Sequence, residues 1–202
     1  MKMFLLRVSR PIVKYILYIF FKLEVRGIEN IKDAKAPAII ASNHPWCIDP
    51  FVAGSLLPFD RFPIIRYVTY FRYLEPKIMG SILRFYGAVP CRNGVGVERA
   101  LKEPRHALER GESVMIFPEG KMNREGKLHY GKPGVVYLAR ETGAPIIPVA
   151  LTGTHLSFKR TLLRKQKIIV TFGKPFYVED KNDLAGAATV MREIKKLLPN
   201  RR

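Results

Sequence analysis

Apolar residues in this chain fall into short, nearly unbroken runs separated by stretches of helical periodicity. Ala38 to Ser42, Ser113 to Phe117 and Pro145 to Leu151 show no apolar–polar alternation, the mark of strands covered on both faces. Pro63 to Tyr70, Gly87 to Cys91 and Lys167 to Phe172 read as further strands. Between them lie predicted helices. Pro50 to Leu57 is apolar and stopped by Pro58, and Pro76 to Tyr86 carries Ile78, Met79, Ile82, Leu83 and Tyr86 at helical spacing before Gly87. Val95 to Arg110 is amphipathic with a joint at Pro104, Val135 to Thr142 is a further helix, and Asp180 to Leu198 closes the chain. Ile28 to Pro37 reads as a polar connector. Strands alternating with helices predict an α/β class: one domain with a mostly parallel central sheet flanked by helices and functional loops at strand ends.

The first residues need a separate reading. The longest apolar run in Met1 to Phe21, Tyr15 to Phe21, is far shorter than the ~20 residues a spanning helix needs. Lys14 interrupts the segment and no small-residue cleavage pattern ends it, which argues against a removed signal peptide. On a helical wheel Arg7, Arg10 and Lys14 share one side, with aliphatic and aromatic residues filling the rest. That is the pattern of a helix lying in anionic headgroups, with a core helix as the alternative. Pro11 marks a break or a fresh start. The expected organisation is an amphipathic membrane-associating segment, 1–24, ahead of an αβ domain, 25–202.

Composition narrows the partners. The 202 residues hold 35 Lys+Arg against 17 Asp+Glu, a net charge of +18, so the partner is anionic: nucleic acid, an acidic lipid surface or a phosphorylated substrate. A nucleic-acid module would need aromatic platforms interleaved with basic residues or a recognition helix, and neither a cold-shock nor an RRM-type signature is present, which argues against it. Cys47 and Cys91 sit in apolar stretches without disulfide or zinc spacing and are expected to be packing residues in a reducing setting.

Candidate chemistry collects at strand ends. The run Ile39 to Ser42 leads to His44, and Asp49 comes just before a helix. An imidazole, with an ordinary pKa near ~6.5, takes a proton at neutral pH, and a carboxylate behind it sets its tautomer. A loop histidine and a helix-capping aspartate would look the same, so the pair gains meaning only beside other motifs. Arg92 leaves another strand into a turn, suited to a bidentate grip on phosphate. Phe117-Pro118-Glu119-Gly120 ends the central strand and opens a basic loop of Lys121, Arg124, Lys127 and Lys132, mixed with Gly126, Gly131 and Gly134. Gly120 permits close backbone approach to a ligand. No nucleophile elbow is present, which points to direct attack by a substrate hydroxyl rather than a covalent acyl-enzyme. Lys159 to Lys167 is basic with an apolar centre and reads either as a second membrane contact or as a solvated loop. His106, His129 and His155 lack spaced partners and read as structural or exposed.

These residues together resemble the glycerolipid acyltransferases of the 1-acylglycerol-3-phosphate type. The family's four ordered blocks look like Asn43-His44 to Asp49, Gly87 to Arg92, Phe117 to Gly120, and Ile147-Pro148-Val149-Ala150, with a similar lead-in from Val25 to Asn30. The resemblance runs from about residue 25 to 155. It implies transfer of a fatty acyl group from an acyl carrier protein or coenzyme A thioester to the hydroxyl of lysophosphatidic acid. Neither a bound cofactor nor a metal is implied, and the setting would be the cytoplasmic face of a membrane, held peripherally or monotopically. His44 would be the general base and Asp49 its orienter. Arg92, Glu119, Gly120, Lys121 and Arg124 would lie at the phosphate-bearing acceptor. One block departs from the pattern: after Gly120 the family's Thr-Arg-Ser is replaced by Lys121-Met122-Asn123. This form is similar to tafazzin-type members, which implies as an alternative a phospholipid transacylase or an acyltransferase for another lysolipid.

Overall fold

A seven-stranded sheet between two helical layers is what these runs build. In the computed structural model, which describes residues 2–123, 128–154, 166–179 and 182–199, the chain runs α1 (Lys2–Phe20), β1 (Phe21–Arg26), β2 (Ile39–Ser42), α2 (Asp49–Leu56), β3 (Ile65–Tyr70), α3 (Lys77–Phe85) and β4 (Ala88–Cys91). It continues through α4 (Val97–Ala100), α5 (Lys102–Glu109), β5 (Ser113–Ile116), α6 (Gly134–Thr142), β6 (Ile146–Thr152), β7 (Gln166–Phe172) and α7 (Asp183–Leu197). The expected Arg124, Lys127, His155 and most of the 159–167 segment lie outside the described residues.

The strand order is β1-β7-β6-β2-β5-β3-β4. Every pair is parallel except β6 with β7, so β1 and β7 run opposite to the other five. The unbroken apolar runs are explained by this. Ile40, Met115 and Ile147 face one core layer while Ile39, Val114 and Ile146 face the other, all of them fully buried. Right-handed crossovers place α2 and α3, which move the chain toward β4, on one side of the sheet, and α5 and α6, which move it back, on the other. The packing agrees: α1 and α2 join the first layer, and α5, α6 and α7 the second.

Local chemistry departs from expectation in several places. The 95–110 helix is two helices with a non-helical joint at Leu101, which puts Pro104 in the first turn of α5, where a missing N–H costs nothing. Pro11 does not divide α1. The connector after Gly27 contains a 3-10 turn, Ile28–Ile31, that buries Ile31. The last helix begins at Asp183, with the Asn182 side chain accepting from the N–H groups of Leu184 and Ala185. β1 starts at Phe21, inside the segment 1–24, and pairs with β7 from there.

Arg10 is the clearest correction. Instead of facing outward as the wheel pattern predicts, its guanidinium turns inward and donates to the carbonyls of Gly54 (3.1 and 2.7 Å), Leu57 (2.9 Å) and Phe62 (2.6 Å). These oxygens lie at and just beyond the C-terminus of α2, where carbonyls lack helical partners and the dipole favours a cation. Burial pulls the Arg10 pKa down from its ordinary value, yet arginine stays charged in proteins. Arg10→Ala should cost about 2–4 kcal/mol, because it orphans three carbonyls at once. An unchanged urea midpoint would refute this.

An ion pair ties β3 to the start of β5. Arg66 donates to both Glu112 oxygens, at 2.8 and 2.7 Å, and holds that carboxyl below its ordinary pKa. A carboxyl depressed in the folded state contributes stability above its unfolded pKa of ~4.3 and loses it as pH falls through the folded value. Glu112→Gln should therefore cost about 1–2 kcal/mol near neutral pH, discounted for partial solvent screening, and almost nothing in acid below the folded pKa. Paired denaturation curves at the two pH values check it.

Candidate active site

The sheet reverses its winding between β2 and β5. β2 leaves through α2 toward β3, while β5 leaves through α6 on the opposite face toward β6. Adjacent strands whose connections part in this way open a crevice at their carboxyl ends, the usual ligand site of open α/β sheets. His44 comes after β2 and Phe117-Pro118-Glu119-Gly120 after β5, so both border that crevice.

His44 is held from three directions. Its Nδ1 lies 2.9 Å from Asp49 Oδ2, and since a carboxylate only accepts, Nδ1 donates in this contact, which in the neutral imidazole leaves the lone pair on Nε2. The ring stacks on Phe117 with centroids 3.9 Å apart and planes at 17°. The backbone is fixed on both sides. Asn43 Nδ2 donates to the Leu151 carbonyl at 2.9 Å while its Oδ1 accepts from the Leu151 N–H at 2.8 Å, and the His44 carbonyl accepts from Asn123 N–H at 2.7 Å.

Asp49 is fully buried. It is the first residue of α2 rather than its cap, and Oδ2 also accepts from the Trp46 N–H at 2.6 Å. Its carboxylate therefore sits at a helix N-terminus, where the dipole stabilises negative charge. The Trp46 contact closes the loop so that Asp49 reaches back to His44.

The acceptor-side residues separate. Arg92 is exposed past the end of β4, three strand spacings, roughly 14 Å, from β2. Its guanidinium lies over the Phe71 ring, 4.5 Å from the centroid, on the segment directly after the neighbouring β3. Gly120 has φ 66°, the left-handed region that favours glycine, and its carbonyl accepts from the Tyr70 hydroxyl. Lys121 is exposed next to it.

Glu119, expected at the acceptor phosphate, is only 4% exposed. Its Oε2 accepts from Asn123 Nδ2 at 3.0 Å and from His129 N–H at 3.1 Å, so it braces the loop from within.

Sequence reasoning placed Lys132 in the basic loop but not in the site. The structure sets its Nζ 3.3 Å from the Tyr70 hydroxyl and its side chain across Gly120. With Arg92 it makes the rim between β5 and β4 cationic. A lysine just ahead of a glycine-started helix was the signal available. Phe117 and Asn43, both inside recognised blocks, also gain roles that no spacing could show: ring support and backbone clamp.

Cys47, expected as a packing residue, is exposed, because the loop that carries it bends outward to bring Asp49 in. Cys91 is partly buried, and burial pushes its thiol pKa up, which disfavours the thiolate a nucleophile needs.

The family described as Acyltransferase matches residues 22–152. The chloroplastic 1-acyl-sn-glycerol-3-phosphate acyltransferase BAT2 of Brassica napus is 28% identical over 166 residues, 80% of this chain and 47% of its own length. This chain thus spans about half the length of that relative. A 1-acyl-sn-glycerol-3-phosphate acyltransferase of Bacillus subtilis is 28% identical over 196 residues, 94% of each chain. The crystal structure of the 1-acyl-sn-glycerophosphate acyltransferase PlsC from Thermotoga maritima shares the fold, with a TM-score of 0.70 at 24% identity over 99% of this chain and 82% of that one. With the family match extending over more than half its length, from β1 to the end of β6, this chain belongs to the acyltransferase family.

Proposed function

We propose that the protein transfers a fatty acyl group from a coenzyme A or acyl carrier protein thioester to the free hydroxyl of 1-acyl-sn-glycerol 3-phosphate, giving phosphatidic acid. The observation that carries this is the His44–Asp49 pair at the winding reversal, with its proton on Nδ1 and its ring fixed against Phe117. Nε2 takes the proton of the glycerol hydroxyl as that oxygen attacks the thioester carbonyl. Asp49 stabilises the imidazolium, and collapse of the tetrahedral intermediate expels the thiolate, to which the proton passes. The acceptor's phosphate is held by the cationic rim of Arg92, Lys121 and Lys132, with Arg124 of the same loop as a further candidate. The names of the matched relatives support this acceptor.

The chain works at a membrane surface, on this reading the cytoplasmic one, held peripherally through α1. No described helix is long and apolar enough to cross a bilayer. α1 nevertheless exposes Val8, Ile12, Tyr15, Ile16 and Ile19 while burying Leu17.

The test is acyl transfer by the purified full chain, with acyl-coenzyme A and acyl-carrier-protein donors, to lysophosphatidic acid and to lysophospholipids with larger head groups. Product from lysophosphatidic acid alone supports the assignment. Thioester-independent exchange between phospholipids would instead favour the transacylase reading suggested by Lys121-Met122. Arg92→Ala should raise KM for lysophosphatidic acid roughly 10–100-fold, the weight of a charge-assisted phosphate contact, with a smaller change in kcat. An unchanged KM would remove Arg92 from the phosphate site.

A further inference from the structure

α3 is turned inside out for a surface helix. A globular helix normally presents its apolar stripe to the core. Here Gly80 is the only buried residue of α3, with Leu83 partly buried beside it, and the other apolar side chains are exposed. At about 100° per residue, Ile78, Ile82 and Phe85 centre roughly 180° from Gly80. Ile78 is 79% exposed, and Met79, Ile82 and Phe85 are also exposed. The rotation is locked, because a Cβ on Gly80 would sit 2.1 Å from the Leu74 carbonyl oxygen, so only glycine lets the helix lie this way.

We infer that the outer face of α3 is a second membrane-contact surface beside α1 that seats on an anionic bilayer. Three observations select this occupant. First, α3 lies in the same layer as α1 and is continuous with it: Ser9, Arg10 and Val13 of α1, Phe51 and Ser55 of α2, and Tyr86 at the end of α3 line one shared cleft, with Phe51 and Tyr86 edge to face at 5.5 Å. The helices of the opposite layer expose one large apolar side chain, Leu184, among the described residues. Helical apolar exposure is thus concentrated in the α1–α3 layer, while Tyr130 and Tyr177 are exposed on loops.

Second, α3 and the turn before it expose Arg72, Lys77 and Arg84 against one acidic residue, Glu75, on a chain of net charge +18. Anionic headgroups complement such a surface, each cation adding about five-fold in affinity, whereas a second copy would bring two strongly basic surfaces together. Third, the amino end of α3 comes just after Phe71 and exposed Tyr73, so the face adjoins the Arg92 rim of the candidate site. An acceptor lipid could pass from the bilayer to that rim without crossing water. The inference deepens the lipid-acceptor reading above and is measured apart from it.

The test is binding of the full chain to vesicles of phosphatidylcholine alone or mixed in equal parts with phosphatidylglycerol, with α1 unaltered. I78E/I82E should lower the partition coefficient on mixed vesicles by about 10-fold or more, the weight of a buried isoleucine, with an unchanged thermal midpoint. L184E on the opposite layer should leave binding unchanged. A native midpoint with undiminished binding would overturn the inference, as would a native chain that sediments as a dimer and becomes monomeric in I78E/I82E. Should the double variant unfold, Ile78→Trp in a Trp46→Phe background decides: quenching by brominated lipid supports insertion, and its absence refutes it. Absence of any acyl transfer would sink the functional reading while leaving these binding results to stand on their own.

Discussion

Replacing His44 by alanine should lower kcat/KM for acyl transfer by at least about 10²–10⁴-fold, the range a positioned general base contributes. Folding should survive, because the ring lies on Phe117 at the mouth of the crevice, while the backbone is held independently by Asn43, Leu151 and Asn123. The informative measurement is a single-turnover rate at saturating acceptor. A loss in that rate with little change in acceptor affinity assigns His44 to the chemical step, and a loss confined to KM would make it a binding residue.

Asp49→Asn should produce a loss of similar order by a different route. Asparagine fills the same volume, but its NH2 can donate to a ring nitrogen that the carboxylate could only accept from. The imidazole can then turn its unprotonated nitrogen inward and present N–H to the substrate, the wrong tautomer for a base. The variant also removes the negative charge that would stabilise the imidazolium. We expect a decrease on the order of 10²–10³-fold, and a double variant, H44A/D49N, no slower than H44A alone, since the two residues act as one unit. Additive losses in the double variant would show that Asp49 acts separately from His44.

Much of this architecture could be read in advance, and what escaped has a common cause. Ile39 to Ser42, Ser113 to Ile116 and Ile146 to Leu151 were legible because strands buried on both faces leave an unbroken apolar run. β1 was less so. Phe21, Leu23 and Val25 alternate with Lys22, Glu24 and Arg26, a good strand pattern that is masked by its direct continuation from a long amphipathic helix. The His44–Asp49 pair was readable because both partners lie within one loop. Arg10 was not: a helical wheel reports which side a cation occupies but not what lies opposite, and its carbonyl partners are 44 to 52 residues away. The inward direction of Glu119 was hidden too, since a carboxylate in a glycine turn looks identical from sequence whether it faces ligand or its own loop. Periodicity reports burial, and only tertiary contacts report direction.

The inward turn of Arg10 bears on how this protein can be handled. It closes the far end of α2, whose first residue, Asp49, orients His44, and an eight-residue helix is only about 12 Å long. Leu17 and Phe21 sit in the same core layer. Trimming the first twenty-two residues to obtain a detergent-free catalytic fragment would therefore remove a wall of the domain and the start of an edge strand. A trimmed chain that lost vesicle binding and turnover together would be reporting a collapsed fold. The proposed membrane attachment is better tested apart from catalysis by single changes at outward positions such as Ile12 and Ile16, with the helix itself left in place.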